Sequence, residues 1–304
     1  MNNMNDMNYE FLACPTCRSS LTFASLQNLE ACTSCGQIFL KAADSGNGQN
    51  DSKGPKWTKW IDLCATEDRI NISTEAAYKI YSKYYAPFAL LAYLLIWRGR
   101  FLRHVGFFRE MLHKSQTIVD LATGDGSLTS FALFGSRKTR IKKLIAVDIS
   151  GGMLERAYKK LPRNTTLLLR GDVCQLPFLD RSVLALSCFG GLNSFPSGGK
   201  ALKEMARCLS PDGILRGSVL LMPQSPWRQR LVLDWIRKGY QTEEVTEDKF
   251  RHWVKESGLE FSQIAQTAQL TQVGQRAQIE RHGDVLLFEL RHPVKPIPET
   301  LSAV

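Results

Sequence analysis

Between residues 117 and 221 the sequence alternates short apolar runs with stretches of helical spacing. The apolar runs have the length of buried strands, and the stretches between them carry apolar side chains every three or four residues. This alternation predicts an α/β fold, in which a parallel sheet has helices on both faces. The predicted strands are residues 117–121, 143–148, 166–170, 183–188 and 214–221.

A glycine-rich turn, ATGDG at residues 122–126, follows the first predicted strand, and Ser127 after it can cap a helix. Glycine at such a turn lets the backbone approach a nucleotide-like ligand, because a Cβ would block the approach and because the turn uses positive φ. The turn alone is a common connection, so the residues that follow decide how it is interpreted.

An acid ends the second predicted strand, and another follows the third. Asp148 lies 24 residues beyond Gly124, where a carboxylate can accept hydrogen bonds from both ribose hydroxyls of a nucleoside. Asp172 can accept one from an adenine amino group, and Val173 can pack on the ring. The carboxyl ends of parallel strands meet at one edge of the sheet, so we expect these residues to converge there with Phe189.

Four of the eight cysteines form two C-x2-C pairs, Cys14/Cys17 and Cys32/Cys35, with fourteen residues between the pairs. Each pair fits a tight turn whose two thiolates bind one metal, so together they predict a closed four-thiolate zinc site. Four cysteine ligands leave no position for a substrate, which favours a structural role. Disulfides are the alternative, and a cytosolic location disfavours them.

The composition divides the chain into five segments. Residues 1–41 are predicted to form a small zinc ribbon, and the polar residues 42–55 a linker. Residues 56–114, helical over 74–112, are expected to approach or cover the main domain, residues 115–292. Residues 293–304 are expected to be a loose tail.

The approach segment is rich in aromatic and apolar residues, and it has three interpretations. It is a helix buried against the sheet, a lid over a substrate pocket, or a membrane-surface helix followed by Arg98, Arg100 and Arg103. The lid interpretation makes Tyr84 and Tyr85 candidate substrate contacts.

Four segments, DLATGDG, AVDISGGMLERA, GDVCQLPFLDRS and ALKEMARCLSPDGIL, occur in this order between residues 115 and 221. They resemble the class I S-adenosylmethionine-dependent methyltransferases, and within them the ubiquinone/menaquinone methyltransferase type. The resemblance implies a doubly wound, seven-stranded Rossmann-like sheet, whose antiparallel edge would comprise residues 259–270 and 284–291. A dinucleotide-binding oxidoreductase is the rival for the first two segments, but it does not account for the other two.

The resemblance also implies roles for individual residues in binding S-adenosylmethionine. Asp120 would order the first loop, and Ala122, Gly124 and Gly126 would line the methionine part. Asp148 would bind the ribose, Ile149 would pack on the adenine, and Asp172 and Val173 would hold the adenine edge beside Phe189. The family usually has glycine at the position of Ala122, whose Cβ leaves slightly less room without abolishing binding.

Methyl transfer from a sulfonium is an in-line displacement, so a general base is needed only if the acceptor must lose a proton. The candidate bases are His104, His252 and His282. The fourth-strand exit lacks the Asn/Asp-Pro-Pro-Tyr-like box of related families, which argues against amine, amide and adenine acceptors. Asn193 and Trp227 are further candidate substrate contacts.

Three functions agree with these features. The first is O- or C-methylation of a small aromatic, quinone or polyketide-like metabolite in a biosynthetic role. The second is methylation of a guanine in ribosomal RNA, for which the net charge of +10 and the zinc module are arguments. The third is a non-methylating protein that binds the cofactor, such as a cyclase or a partner subunit.

The N-terminus lacks an apolar core of the kind found in signal peptides, and the longest apolar run, residues 86–97, is too short to span a bilayer. We therefore expect a cytoplasmic protein without a transmembrane segment. The sequence makes no prediction of the oligomeric state.

Overall fold

The computed structural model describes residues 10–21, 31–36, 60–64, 85–134, 141–239, 241–262 and 279–293. Within these ranges, no helix combines the length and the apolar character that crossing a bilayer requires. The predicted linker, residues 42–55, lies outside them, as does the predicted tail beyond Pro293.

The described residues contain one sheet of nine strands. Its strands are β1 (Ile61–Asp62), β2 (Thr117–Leu121), β3 (Lys143–Asp148), β4 (Thr166–Arg170), β5 (Val183–Phe189), β6 (Leu209–Leu220), β7 (Glu260–Phe261), β8 (Ile279–His282) and β9 (Val285–Arg291). The strand order is β1-β4-β3-β2-β5-β6-β9-β7, with β8 also paired to β9. Strands β1 to β6 are parallel, whereas β9 is antiparallel to β6, β7 and β8. The predicted α/β fold with an antiparallel edge is therefore confirmed.

Helices pack on both faces of this sheet. They are α1 (Tyr85–Leu95), α2 (Phe101–Lys114), α3 (Ser127–Leu133), α4 (Gly151–Lys160), α5 (Gly198–Cys208), α6 (Pro226–Arg237) and α7 (Glu247–Ser257). Three of them have a side-chain N-cap, in which Ser150, Ser197 or Thr246 accepts a hydrogen bond from the backbone N–H three residues later.

Alternate residues of the central strands face opposite sides of the sheet, as the pleat requires. In β2, Ile118 packs in a cluster with Phe108 of α2, whereas Val119 packs in a second cluster with Leu202 of α5. The second cluster also includes Leu12 and Cys14. The cysteine-containing segment therefore shares the core of the α/β domain.

The approach segment was predicted to be helical over residues 74–112. Its described part forms α1 and α2, and the break falls at residues 96–100, where Arg98 has a φ of +55°. Gly99 lies so close to Tyr93 that a Cβ would come 2.2 Å from the ring. Pro87 lies in the first turn of α1, where a missing N–H costs nothing.

The edges of the sheet also depart from the predicted strands. Strand β6 begins at Leu209 rather than at residue 214, because residues 210–213 form a register shift within the strand. Strand β1 lies in the approach segment, ahead of the part predicted to be helical, and neither it nor the polar strand β8 was predicted. Of the predicted strand 259–270, Glu260–Phe261 is β7, and residues 263–270 lie outside the described ranges.

Candidate active site and metal centre

A buried carboxylate holds the loop that follows β2. Asp120 is 3% exposed and accepts hydrogen bonds from Thr123 Oγ1 at 2.8 Å, Thr129 Oγ1 at 2.7 Å and Ser187 Oγ at 2.7 Å. Burial raises the pKa of Asp120, and the three hydroxyl donors oppose that rise. The Asp120 carboxylate thus links β2 to α3 and to β5 through hydrogen bonds. The three hydroxyl residues were not identified from the sequence, and Ser187 reaches Asp120 only because β2 pairs with β5.

The loop itself uses left-handed backbone at alternate residues. Ala122, Gly124 and Gly126 have φ values of +53°, +58° and +73°. Space beside Gly124 is open, because a Cβ there would meet no atom within 4 Å. At Gly126 a Cβ would lie 3.1–3.2 Å from Leu161 and Ala157. Gly124 therefore leaves room for a ligand, whereas Gly126 allows the loop to pack closely on α4.

Asp148 joins this loop to the end of β3. Its Oδ2 accepts a hydrogen bond from Gly124 N at 2.8 Å, and its Oδ1 accepts one from Ser150 N at 2.9 Å. Burial raises the pKa of Asp148 from 3.8 to about 6, although both backbone donors act in the opposite direction. An ionised carboxylate has about four acceptor positions, so the bonds from Gly124 N and Ser150 N leave capacity for the ribose hydroxyls of a nucleoside.

The next loop tip adjoins Asp148. Gly171 N donates to Asp148 O at 3.1 Å, and Asp172 Oδ1 accepts from Cys174 N at 2.8 Å. Asp172 is half-buried and Val173 is buried. Ile149, also half-buried, accepts a hydrogen bond at its carbonyl from Arg170 Nε. The structure thus brings the four predicted adenosine contacts to adjoining loops.

An aromatic cluster adjoins the end of β5. The half-buried ring of Phe189 lies 4.7 Å from that of Phe108 and 5.1 Å from that of His104, both in α2. His104 Nδ1 is 2.9 Å from the hydroxyl of Tyr93, and its Nε2 is 3.4 Å from Ser218 Oγ. Burial lowers the pKa of His104 to about 4, so the imidazole is neutral at physiological pH. Tyr93 and Ser218 were not identified from the sequence.

The other candidate bases and substrate residues lie in different environments. His252 is exposed on α7, and His282 on β8 has its Nε2 3.5 Å from Glu280. The buried amide of Asn193 bonds both Leu220 N and Leu220 O, so it links the exit of β5 to the end of β6. Trp227 is 58% exposed on α6. Tyr84 lies outside the described residues, and of Tyr85 only the backbone, at the start of α1, is described.

The four paired cysteines form one cluster. Their sulfur atoms all lie within 4.8 Å of one another, and the Cys14–Cys35 and Cys17–Cys32 Sγ distances are both 3.7 Å. A tetrahedral site with Zn–S bonds of 2.3 Å has sulfur–sulfur edges of about 3.8 Å. None of the four forms a disulfide with another described cysteine, and this arrangement fits a four-thiolate metal site much better than a pair of disulfides.

Part of this chain is similar in sequence to known methyltransferases. Residues 119–216 match the family described as Methyltransferase domain. A demethylmenaquinone methyltransferase of Chlamydia caviae is 32% identical over 108 residues, which are 36% of this chain and 46% of that protein. An uncharacterized chloroplastic methyltransferase of Arabidopsis thaliana is 25% identical over 232 residues, covering 67% of this chain and 60% of that protein. This chain thus spans about half the length of the curated relatives it matches.

A solved structure described as an S-adenosylmethionine-dependent methyltransferase and possible histamine N-methyltransferase, from Thermotoga maritima, has a TM-score of 0.48. It is 16% identical and covers 70% of this chain and 98% of its own. The family match at residues 119–216, the similarity to curated methyltransferases and the sheet topology support a class I S-adenosylmethionine-dependent methyltransferase fold for the α/β part of this chain.

Proposed function

We propose that this chain methylates oxygen or carbon of a small, flat, apolar acceptor, such as an aromatic, quinone or polyketide-like metabolite. The observation that supports this acceptor class is the aromatic cluster beside the exit of β5. Phe189 packs there with Phe107 and Phe108, and the same apolar region extends to Trp97 and Trp235, whose rings are 5.5 Å apart. Rings at such separations favour flat apolar partners.

The bound cofactor supplies an already activated methyl group, so the protein's contribution is to position donor and acceptor. Asp148 would accept the ribose hydroxyls, while Asp172 and Val173 would hold the adenine. Gly124 would leave space for the methionine part. Asp120 would act indirectly, because its carboxylate is occupied by three hydroxyl donors.

An acceptor that must lose a proton needs a base near the aromatic cluster. His104 is the candidate base that contacts Phe189, but a pKa of about 4 makes its imidazole a weak base. Because the Tyr93 hydroxyl lies 2.9 Å from His104 Nδ1, we propose that the pair positions the acceptor by hydrogen bonding and does not take its proton. Tyr93→Phe would then lower kcat while leaving cofactor affinity unchanged.

The cysteine cluster is proposed to hold one structural zinc ion. Elemental analysis should give one zinc per purified chain, and Cys32→Ser should lower this content and the melting temperature together. A metal-free wild-type protein with an unchanged melting temperature would contradict the assignment.

Ribosomal RNA is the alternative acceptor, supported by the net charge of +10. Within the described part of the cysteine segment, however, Arg18 is the only basic residue, and it is paired with Glu204. The functions separate in one experiment, in which calorimetry with S-adenosylhomocysteine precedes methyl transfer from labelled S-adenosylmethionine. Labelled quinols or phenols would support the proposal, and labelled RNA the alternative. Binding without transfer would favour a non-methylating protein, and failure to bind would reject the methyltransferase assignment.

A further inference from the structure

The cysteine segment is joined through its backbone to the loop between β4 and β5. Ala13 N donates to Pro177 O at 2.9 Å, and Leu179 N donates to Phe11 O at 2.9 Å. Between these bonds, Leu12 and Phe178 form a β-bridge, and both side chains are fully buried. The segment therefore pairs with the β4–β5 loop through an isolated antiparallel β-bridge.

Two more contacts come from the first metal-binding turn itself. Arg18 Nη1 donates to Leu176 O at 2.9 Å, and Pro15 O accepts from Gln175 Nε2 at 2.8 Å. Arg18 N also donates to Cys14 O at 2.9 Å, and the residue has a φ of +63°. The position of the Arg18 side chain thus depends on the shape of the turn that Cys14 and Cys17 impose.

A buried carboxylate in α5 receives the guanidinium. Glu204 Oε1 accepts from Arg18 Nη1 at 2.9 Å and from Leu176 N at 2.8 Å. Glu204 Oε2 accepts from Arg207 Nε at 2.8 Å, and Arg207 also donates to Phe178 O. The segment 175–178 is therefore held between the cysteine turn and α5.

The held segment is continuous with the proposed adenine contacts. Gln175 N donates to Asp172 O at 3.0 Å, which closes a turn that contains Val173. A shift of residues 175–178 would accordingly move Asp172 relative to Asp148. An ordered loop also avoids the conformational entropy that ligand binding would otherwise have to overcome.

We propose that the metal-bound cysteine turn is a clamp that positions the adenine-binding loop, with Arg18 and Gln175 as positioning residues. Metal occupancy then sets the affinity for the cofactor. This inference rests on the proposed cofactor site. It adds a function to the cysteine segment, since a module that only stabilised the fold would leave the adenine contacts of a folded protein unchanged.

The test measures the affinity of the full chain for S-adenosylhomocysteine by calorimetry, alongside zinc content and melting temperature. Arg18→Met keeps the length of the side chain and removes its donors, and Gln175→Met does the same at the second contact. Each variant should retain zinc and bind roughly tenfold more weakly, the effect of losing about one hydrogen bond to a positioned group. Arg18→Lys, which keeps a donor and the charge, should recover part of the loss. Zinc depletion of the wild type should weaken binding similarly, and zinc restoration should reverse it.

Arg103→Met is the matched control, because Arg103 pairs with Glu280 at 2.7 Å and is 40% exposed, compared with 35% for Arg18. A double-mutant cycle gives a readout that a general loss of stability would not produce: Arg18→Met and Asp172→Asn should be non-additive, whereas Arg18→Met and Asp148→Asn should add.

Affinities within twofold of wild type for Arg18→Met and Gln175→Met would overturn the clamp, as would an equal loss in Arg103→Met. If Arg18→Met does not fold, the affinity of Gln175→Met for S-adenosylhomocysteine alone tests the clamp. A wild-type protein that fails to bind S-adenosylhomocysteine would instead reject the proposed function.

Discussion

Cofactor affinity should depend on pH through Asp148. Burial raises the pKa of this carboxyl from 3.8 to about 6 in the ligand-free protein. Ribose hydroxyls donate hydrogen bonds, so they bind the ionised carboxylate in preference to the protonated acid. With a pKa of about 6, about nine-tenths of the carboxyl is ionised at pH 7 and about one-tenth at pH 5. The dissociation constant for S-adenosylhomocysteine should therefore rise about tenfold as the pH falls from 7 to 5.

The contribution of Asp148 to folding stability changes with pH in the opposite direction to its contribution to cofactor affinity. Because the folded ligand-free protein binds this proton more tightly than the unfolded chain does, Asp148 reduces stability as the pH rises from about 4 to about 6. Binding and stability thus respond to the same group in different directions, which separates a loss of affinity at pH 5 from acid unfolding.

Calorimetry at pH 5, 6 and 7 measures the dependence, with circular dichroism to verify folding at each pH. Asp148→Asn is the matched variant, because it keeps the shape and one acceptor oxygen but does not titrate. Its affinity at pH 7 should be weaker by about 1–2 kcal/mol, the difference between a charge-assisted and a neutral hydrogen bond. Its affinity should be nearly constant between pH 5 and 7, because the amide does not ionise.

Two results would refute this reasoning. A wild-type affinity that stays within twofold between pH 5 and 7 would mean that the ribose does not depend on the Asp148 charge. An Asp148→Asn variant with the wild-type slope would assign the pH dependence to another group.

Three substitutions test the packing around the site. Ala122→Gly should raise the free energy of unfolding in urea by about 0.5–1 kcal/mol, because glycine relieves the backbone strain of a left-handed alanine. The gain is reduced because glycine also increases the conformational entropy of the unfolded chain. A lower stability of the variant would contradict backbone strain at Ala122. Gly191→Ala should destabilise by about 1–3 kcal/mol, since its Cβ would lie 2.7 Å from the Ala122 Cβ and 2.6 Å from the Phe195 ring; Ala122→Gly in the same chain should recover part of the loss, and full additivity would reject the steric account. Arg216→Met should cost about 3 kcal/mol, because it leaves the carboxylate of Glu289, now 2.7 Å from Arg216 Nε, without its buried partner; adding Glu289→Gln should restore stability, and a neutral single substitution would exclude a strong pair.

Local pattern was sufficient for the centre of the fold. The strands β2 to β5 coincide with apolar runs, and Asp148 and Asp172 lie at adjoining loop tips as their positions after successive strands predicted. Such residues follow from strand length and connectivity, which are properties of neighbouring sequence. Their ligand contacts stay predictions until binding is measured.

Long-range contacts explain what the sequence could not predict. The break between α1 and α2 depends on Gly99 lying against Tyr93, and the hydroxyls around Asp120 come from three elements. The predicted independent zinc ribbon is joined to the α/β domain by contacts such as that between Leu12 and Phe178. Local periodicity does not encode the Leu12–Phe178 pairing or the Ser187–Asp120 hydrogen bond, because each joins segments that are far apart in the sequence.

A continuous series of hydrogen bonds therefore links the cysteine cluster to the proposed cofactor site. From the turn at Cys14–Cys17 the contacts run through Gln175 to Asp172, and Gly171 N joins the same loop to Asp148. If metal binding orders this unit for the cofactor, thermodynamic linkage requires that the cofactor strengthen metal binding by the same factor. A tenfold effect in one direction is about 1.4 kcal/mol of coupling in both. The cysteine segment, which is too small to form its own core, thus gains stability from the site that it helps to order.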